Sequence, residues 1–350
     1  MDKNKLAKKI GQIKGIINKN SKTEALQGIL VKDGYLIASN SELTVKAKLE
    51  GMEGAFIIPM KAFDLIDNLP DKEVEISCKK NVLTIETENI KNSFKTYPVE
   101  QFAYDMDSFS GNSMASVMAD KLKCTAQHVI YAVPDMASNK IMEGVLFECI
   151  GGKLNLVGLD GHRVAWDSLP LQGNFSFVVP KTTAEKLIQF DMKGETRIAY
   201  STNAALFQTD DYEIYTRLIA GQYFPYGKMF QHGDIKTAID RRSFMEAVNR
   251  ARLCGAKEDG LPIVMEIKGM SVKITYKNTI ADYEEEVALQ EAVRSELKIG
   301  FNPRLLLDSL KAFECDNIAL AFSGKKQPVI INAEDSDMTA LILPVNLKED

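Results

Sequence analysis

Ile58-Pro59-Met60-Lys61-Ala62-Phe63, Val179-Pro180-Lys181 and Asn302-Pro303-Arg304 are the three stretches that decide how this chain folds. In each, a proline stands at the head of an amphipathic run, which ends at Leu69, Phe190 and Phe313 respectively. Proline suits the first turn of a helix, because the N–H it lacks would have no partner there. The prolines are 121 and then 123 residues apart.

A second marker keeps almost the same period. Gly28-Ile29-Leu30-Val31, Gly144-Val145-Leu146-Phe147 and Gly260-Leu261-Pro262-Ile263 each open a strand-like run, spaced 116 and 116. Each follows a run with helical spacing, at residues 3–19, about 119–132 and about 241–253. Each leads into a hairpin-like pair: Leu30–Ala38 with Leu43–Leu49, Leu146–Gly158 with Arg163–Leu169, and Ile263–Thr275 with Ile280–Leu289. An extended, proline-bearing segment closes each unit, at Phe94–Pro98, Tyr212–Pro225 and Thr339–Pro344. A unit of about 115–120 residues is far longer than a solenoid repeat, so the period predicts three whole domains of one α+β type. Their expected bounds are 1–110, 111–231 and 232–350. The junctions fall in the polar stretches Asp105–Ser116 and Phe230–Ile235.

Composition narrows the class. The 350 residues are 45% hydrophobic and 26% charged, as in an ordinary globular chain of more than one domain. No run of roughly 18 uncharged apolar residues offers a membrane span. Lysines interrupt MDKNKLAKKIGQIKGIINKN where a signal peptide needs an apolar core, so a cytoplasmic protein is expected. The five cysteines (Cys78, Cys124, Cys149, Cys254, Cys315) are odd in number, far apart and without a CxxC pair. Their spacing offers neither a disulfide framework nor a zinc site, and no metal or cofactor is expected.

Charge is unevenly placed. Residues 2–23 carry seven lysines against Asp2, a local +6, which leaves −11 for the rest of a chain whose net charge is −5. In the first helical run Leu6, Ile10, Ile13 and Ile17 form one apolar stripe, with Lys8, Gly11, Gln12, Gly15 and Lys19 opposite. Arg242, Asn249 and Arg250 lie opposite Phe244, Val248 and Ala251 in the third unit. In the second, Lys121, Lys123 and His128 flank Leu122, Ala126 and Val129. Equivalent helices with cationic outer faces on an acidic chain point to a shared surface for a polyanion, with Lys8, Lys123, Arg242 and Arg250 as candidates.

The stretch Leu154–Trp166, LNLVGLDGHRVAW, contains an Asp160-Gly161 turn between two alternating apolar runs. Together with RLIAGQYFPY (Arg217–Tyr226), GFNPRLLLDSLKAF (Gly300–Phe313), LILPVNL (Leu341–Leu347) and FIIPMKAFDLIDNLP (Phe56–Pro70), it resembles the β subunit of bacterial DNA polymerase III, the sliding clamp family. The resemblance extends over essentially the whole chain. It implies an α+β fold of three similar clamp-type domains, with helices lining the inside and antiparallel sheets outside. It further implies a head-to-tail homodimeric ring around duplex DNA without sequence specificity. Such a ring is a non-catalytic processivity factor for DNA replication. Its expected partners are the DNA polymerase III alpha subunit, other polymerases and the clamp loader, and no membrane. The ring edges fall at about Asn92–Tyr97 and Leu253–Cys254.

Carried over motif by motif, the family's partner-peptide pocket maps to Met142, Leu159, Gly161, His162, Arg163, Val164, Pro225, Lys228, Met229, Asn302, Leu305 and Pro328. It continues in the tail as Leu341, Ile342, Leu343, Pro344, Val345, Asn346 and Leu347. The resemblance of loop Pro134–Lys140 adds Asn139 and Lys140 to the DNA-facing set, and Lys19 and Lys22 follow the first helix. Leu159 stands where the family has a small hydroxyl residue and Asn346 where it has Arg. Lys348-Glu349-Asp350 extend past the usual hydrophobic end, so a more apolar pocket is implied. Two other readings stand beside this one. A divergent clamp paralogue outside the main replicase would suit these departures. A hydrolase would have to use Asp160 with His162, but no nucleophile elbow, phosphate-binding glycine loop or HExxH accompanies that pair.

Overall fold

Short runs of Val, Ile, Leu and Phe, broken by Gly, Asn and Asp, make this mainly a chain of antiparallel strands. The computed structural model describes residues 1–350 except 71, 107–108, 110–112, 231–232, 256–260 and 348–350. The strand opening expected at Gly260, the domain junctions at 110/111 and 231/232, and the last three residues lie outside the described residues. In chain order the first elements are α1 (Lys3–Ile13), β1 (Gly28–Lys32), β2 (Tyr35–Ser39), β3 (Leu43–Lys48), β4 (Phe56–Pro59), α2 (Phe63–Asn68), β5 (Glu75–Lys79), β6 (Val82–Glu86) and β7 (Lys91–Lys95). Then come β8 (Ser113–Met118), α3 (Ala119–Ile130), β9 (Gly144–Ile150), β10 (Lys153–Leu159), β11 (Arg163–Pro170), β12 (Phe175–Pro180), α4 (Lys181–Gln189), β13 (Glu195–Tyr200), β14 (Ala204–Gln208) and β15 (Tyr212–Arg217). The last are β16 (Ile235–Asp240), α5 (Arg241–Leu253), β17 (Ile263–Lys277), β18 (Asp282–Phe301), α6 (Pro303–Ala312), β19 (Asn317–Phe322), β20 (Val329–Ala333) and β21 (Thr339–Ile342). None of these helices is long and apolar enough to cross a membrane.

The chain divides into two compact units, Met1–Asp120 with Gln189–Leu218, and Lys121–Ile188 with Ile219–Asp350. The first holds an eight-stranded sheet, β4-β1-β2-β3-β15-β14-β13-β8, and the three-stranded sheet β5-β6-β7. The second holds a ten-stranded sheet, β12-β9-β10-β11-β21-β20-β19-β16-β18-β17. Each large sheet therefore joins strands of successive sequence repeats. The joining pairs are β3 with β15, where Val45 faces Ile214, and β11 with β21, where Val164 faces Leu341.

The proline markers divide into two kinds. Pro303 is the first residue of α6, and Asn302 caps that helix by accepting from the Arg304 N–H. Pro59 and Pro180 instead end β4 and β12, the terminal strands of their sheets, where a missing N–H removes no ladder bond. Their cross-strand partners are the glycine markers, since Gly28 pairs with Pro59 and Gly144 with Pro180. In the first two repeats the two markers are thus one strand pair. The first arms of the first two expected hairpins are themselves folded, at Asp33-Gly34 and Gly151-Gly152, all four with positive φ. In the third sequence repeat the arm is the single strand β17, whose register against β18 shifts around Gly269.

In α1 the stripe Leu6, Ile10 and Ile13 is fully buried, with Ile17 close behind. The helix is shorter than its periodicity: it ends at Ile13, passes through one 3₁₀ turn at Lys14–Ile16, and Ile17 is extended. Gly15 sits in that turn, past the last residue of α1, so it costs the α-helix nothing. In the second unit α5 and α6 supply Phe244, Val248, Leu306 and Leu310 to a core that also takes Ile318, Phe322 and Ile331 from β19 and β20.

Candidate partner-binding site

The turn between β10 and β11 is built by one carboxylate. Asp160 accepts the N–H groups of His162 (2.9 Å) and Arg163 (3.0 Å), while Gly161 takes φ +85°. From this turn β11 runs beside β21, with Arg163 opposite Ile342 and Val164 opposite Leu341. The Leu343 N–H extends the ladder by donating to the His162 carbonyl (2.8 Å). A residue stretch near the chain's end is thereby set against one near its middle.

A cavity of about 760 Å³ opens at this junction. It brings together Met142, Leu159, Gly161, His162, Arg163, Val164, Lys228, Met229, Pro328, Leu341 and Leu343, as expected from sequence. Leu159, Val164 and Leu341 are buried and belong to one apolar cluster with Ile141, Leu146 and Tyr226, so the floor is apolar. Lys228, Asp234 and His162 are exposed. Phe224, Asp234, Ser323 and Gln327 also line the cavity and were missed. Phe224 lies in the RLIAGQYFPY stretch beside Pro225 and was within reach of the sequence. The other three sit in connections around β16, β19 and β20, and nothing in their local pattern marks them.

The remaining expected pocket residues are placed elsewhere. Pro225 is exposed and starts the 3₁₀ turn Tyr226–Lys228, on a second cavity of about 560 Å³ that shares Phe224 and Lys228 with the first. Asn302 spends its side chain capping α6, and Leu305 packs against the core of the third repeat. Ile342 points to the opposite face of β21 from Leu341, because successive side chains of a strand alternate. Past Leu343 the tail leaves the cavity. Val345 donates its N–H to the Gly300 carbonyl (2.8 Å), and Leu347 occupies the space a Cβ on Gly300 would need. Pro344 and Asn346 go with it and do not line the cavity.

Arg163 lines the cavity and also braces the turn beside it. Its guanidinium donates to Asp160 Oδ2 (2.9 Å), Asp308 Oδ2 (3.1 Å) and the Tyr131 carbonyl (2.8 Å), and it lies 5.1 Å from the centre of the Tyr131 ring. It ties the β10–β11 turn to α6 and to the end of α3. Burial pushes the Tyr131 phenol up to about 12, so the ring stays neutral beneath the cation. Asp160 is committed to this turn and to Arg163, which leaves the Asp160/His162 hydrolase pairing without a free carboxylate.

The expected DNA-facing residues are mostly at the surface. Lys8, Lys19, Lys22, Asn139, Lys140, Arg242 and Arg250 are exposed, and Lys123 is half-buried. Arg242 pairs with Glu246 (3.0 Å) and Lys140 with Glu143 (3.2 Å), while Asn139 accepts the Ile141 N–H (3.2 Å). Arg250 is exposed and ion-paired. It grips both oxygens of Glu285, at 2.9 and 2.6 Å, because β18 presents that carboxylate to α5. Gln12 is likewise not free, since it accepts the Tyr212 hydroxyl (2.9 Å), which in turn accepts from Lys9 Nζ (3.0 Å). A Cβ at Gly11 would meet nothing within 4 Å, in keeping with an open outer face there.

Residues 116–225 match the DNA polymerase III beta subunit, central domain, and residues 230–346 match the DNA polymerase III beta subunit, C-terminal domain. The chain is 26% identical over 343 residues to a beta sliding clamp of Staphylococcus epidermidis, covering 93% of this chain and 90% of that one. A beta sliding clamp of Staphylococcus aureus is 26% identical over 323 residues, covering 87% and 85%. Among solved structures, the DNA polymerase sliding clamp of Pseudomonas aeruginosa superposes with a TM-score of 0.90 at 23% identity, covering 99% of both chains. That of Bacillus subtilis gives 0.91 at 20% identity, covering 99% of this chain and 98% of the other.

Proposed function

Because this chain belongs to the DNA polymerase III beta subunit family, the bacterial sliding clamps, we propose that two copies close head-to-tail into a ring around duplex DNA. The ring acts in the cytoplasm as a non-catalytic processivity factor, and the cavity at Val164 and Leu341 holds a short peptide of a polymerase or of the clamp loader. Each sequence repeat supplies one clamp domain, with bounds near 1–110, 111–231 and 232–350.

Strand edges support the ring. β7 is hydrogen-bonded to β6 alone among the described strands, and an open edge is a template for another strand. Leu253, at the end of α5, is 65% exposed and offers apolar surface to a second copy. A second copy covering both features closes a two-fold ring without leaving an edge. Lys8, Lys19 and Lys22, exposed and without ion pairs among the described residues, supply diffuse positive charge. Such charge holds phosphates without reading bases, which a sliding ring requires.

The apolar cavity is the observation that carries the docking role. Burying one Leu or Phe side chain there is worth about 1.5–3 kcal/mol each, offset by the cost of ordering the peptide. Micromolar affinity follows for a lone peptide, and two sites per ring raise it for a bivalent partner. The test is retention on nicked circular DNA against the same DNA linearised, with and without Lys8→Glu and Lys19→Glu. Loaded rings stay on circles and run off ends, and the double variant loads poorly with its melting temperature unchanged. Equal retention on both DNAs would count against encirclement.

A further inference from the structure

Three side chains that the clamp reading does not use converge in the second unit. Cys124 and His128 are one helical turn apart on the same face of α3, and Glu314 follows α6. One donor atom from each lies within 4.8 Å of the other two, the sole such Cys/His/carboxylate grouping among the described residues. Spacing along the chain hides it, because two donors sit on one helix and the third comes from a distant segment.

The geometry points to a zinc site formed by Cys124 Sγ, His128 Nε2 and the Glu314 carboxylate. His128 Nε2 is 3.6 Å from Cys124 Sγ. A tetrahedral zinc with ordinary Zn–S and Zn–N bonds sets those two atoms about 3.6 Å apart. The other ring nitrogen, His128 Nδ1, is 2.7 Å from Asp167 Oδ2, and Asp167 is buried on β11. A carboxylate in that place accepts a hydrogen bond from Nδ1–H and so turns the Nε2 lone pair toward a metal, the outer support that metal-binding histidines ordinarily have. Asp167 is held in turn, its other oxygen accepting the Ser168 N–H (2.8 Å).

A packed histidine with a weak thiol hydrogen bond accounts for Cys124 and His128, and an exposed carboxylate needs no ion beside it, so the site stands on the three donors together with the Asp167 support of His128. Mixed thiolate, imidazole and carboxylate donors suit zinc better than calcium or magnesium, which take oxygen alone. Binding releases the Cys124 thiol proton to solvent, and water completes the fourth position. The bound ion links α3 to the segment that follows α6, and so braces part of the body that carries the cavity.

The experiment uses the full chain, stripped of metal by a chelator and titrated with Co²⁺ as a spectroscopic stand-in for zinc. Expected are a thiolate-to-cobalt charge-transfer band saturating at one ion per chain and displacement of that band by Zn²⁺. Cys124→Ser abolishes the band. Asp167→Asn weakens Co²⁺ binding 10- to 100-fold, the effect of losing an outer-shell partner. Glu314→Gln, at an exposed position that leaves the fold intact, weakens it at least tenfold. A wild-type chain without the band, or an undiminished band in Cys124→Ser, overturns the site.

Discussion

Leu341 and Ile342 are neighbours on β21 that serve opposite sides: Leu341 forms the floor of the cavity, whereas Ile342 is wholly buried in the core of the third repeat. Leu343, next in line, is 42% exposed at the cavity and contributes little to that core.

Binding and stability therefore separate by alternate residues. Leu343→Asp abolishes binding of a Leu/Phe-bearing peptide in calorimetry and leaves the urea midpoint nearly unchanged. Ile342→Ala costs about 2–5 kcal/mol of stability, as a buried large-to-small change does. The reverse pattern would remove β21 from the docking site.

Gly144 and Gly11 respond to alanine with opposite signs. A Cβ on Gly144 would come 2.6 Å from both Val178 Cγ1 and the Val179 carbonyl oxygen, so Gly144→Ala destabilises by about 1–3 kcal/mol. At Gly11, inside α1, the Cβ meets open space, and Gly11→Ala stabilises by up to about 1 kcal/mol through helix propensity. Chemical denaturation of both variants checks the signs.

Arg163 does not tolerate lysine. A single ammonium cannot span Asp160, Asp308 and the Tyr131 carbonyl in the fork geometry that the guanidinium supplies. Arg163→Lys loses about 1–3 kcal/mol, and Arg163→Ala loses no less. Peptide affinity falls in both, through displacement of the β10–β11 turn. Wild-type stability in the lysine variant would show that one acceptor is enough.

The pair Arg250–Glu285 sets a pH dependence. Its hydrogen bonds from Arg250 hold the Glu285 carboxyl below its ordinary value of 4.5. A lowered folded-state value means that the unfolded chain binds the proton first as acid is added, so stability increases with pH across that window. The contribution is complete above the unfolded value and disappears as pH falls through the folded one. Glu285→Gln is thus less stable than wild type at neutral pH, and the two converge in acid, once pH has fallen through the folded-state value. Arg250→Glu, which sets two carboxylates side by side, destabilises in the same range. It is a poorer probe of DNA contact than Lys8→Glu for that reason. Urea midpoints across pH read both effects.

The sequence alone determined the repeat, the α+β alternation and the cationic outer faces, because each is a matter of period: 3.6 along a helix, 2 along a strand, and about 120 residues between successive proline markers. Turn chemistry was equally local, so Asp160-Gly161 could be read without any partner. The family motifs carried most of the cavity, since Val164 and Leu341 each lie in a quoted stretch. Tertiary structure decided everything that depends on pairing between distant segments. It joined Gly144 to Pro180, turned Ile342 away from Leu341, sent the tail past Leu343 to Gly300, and paired Arg163 and Arg250 with carboxylates. The reason is range. Backbone preference and side-chain period act over a few residues, whereas register, salt bridging and the meeting of Cys124 with Glu314 depend on which distant segments the sheets bring together.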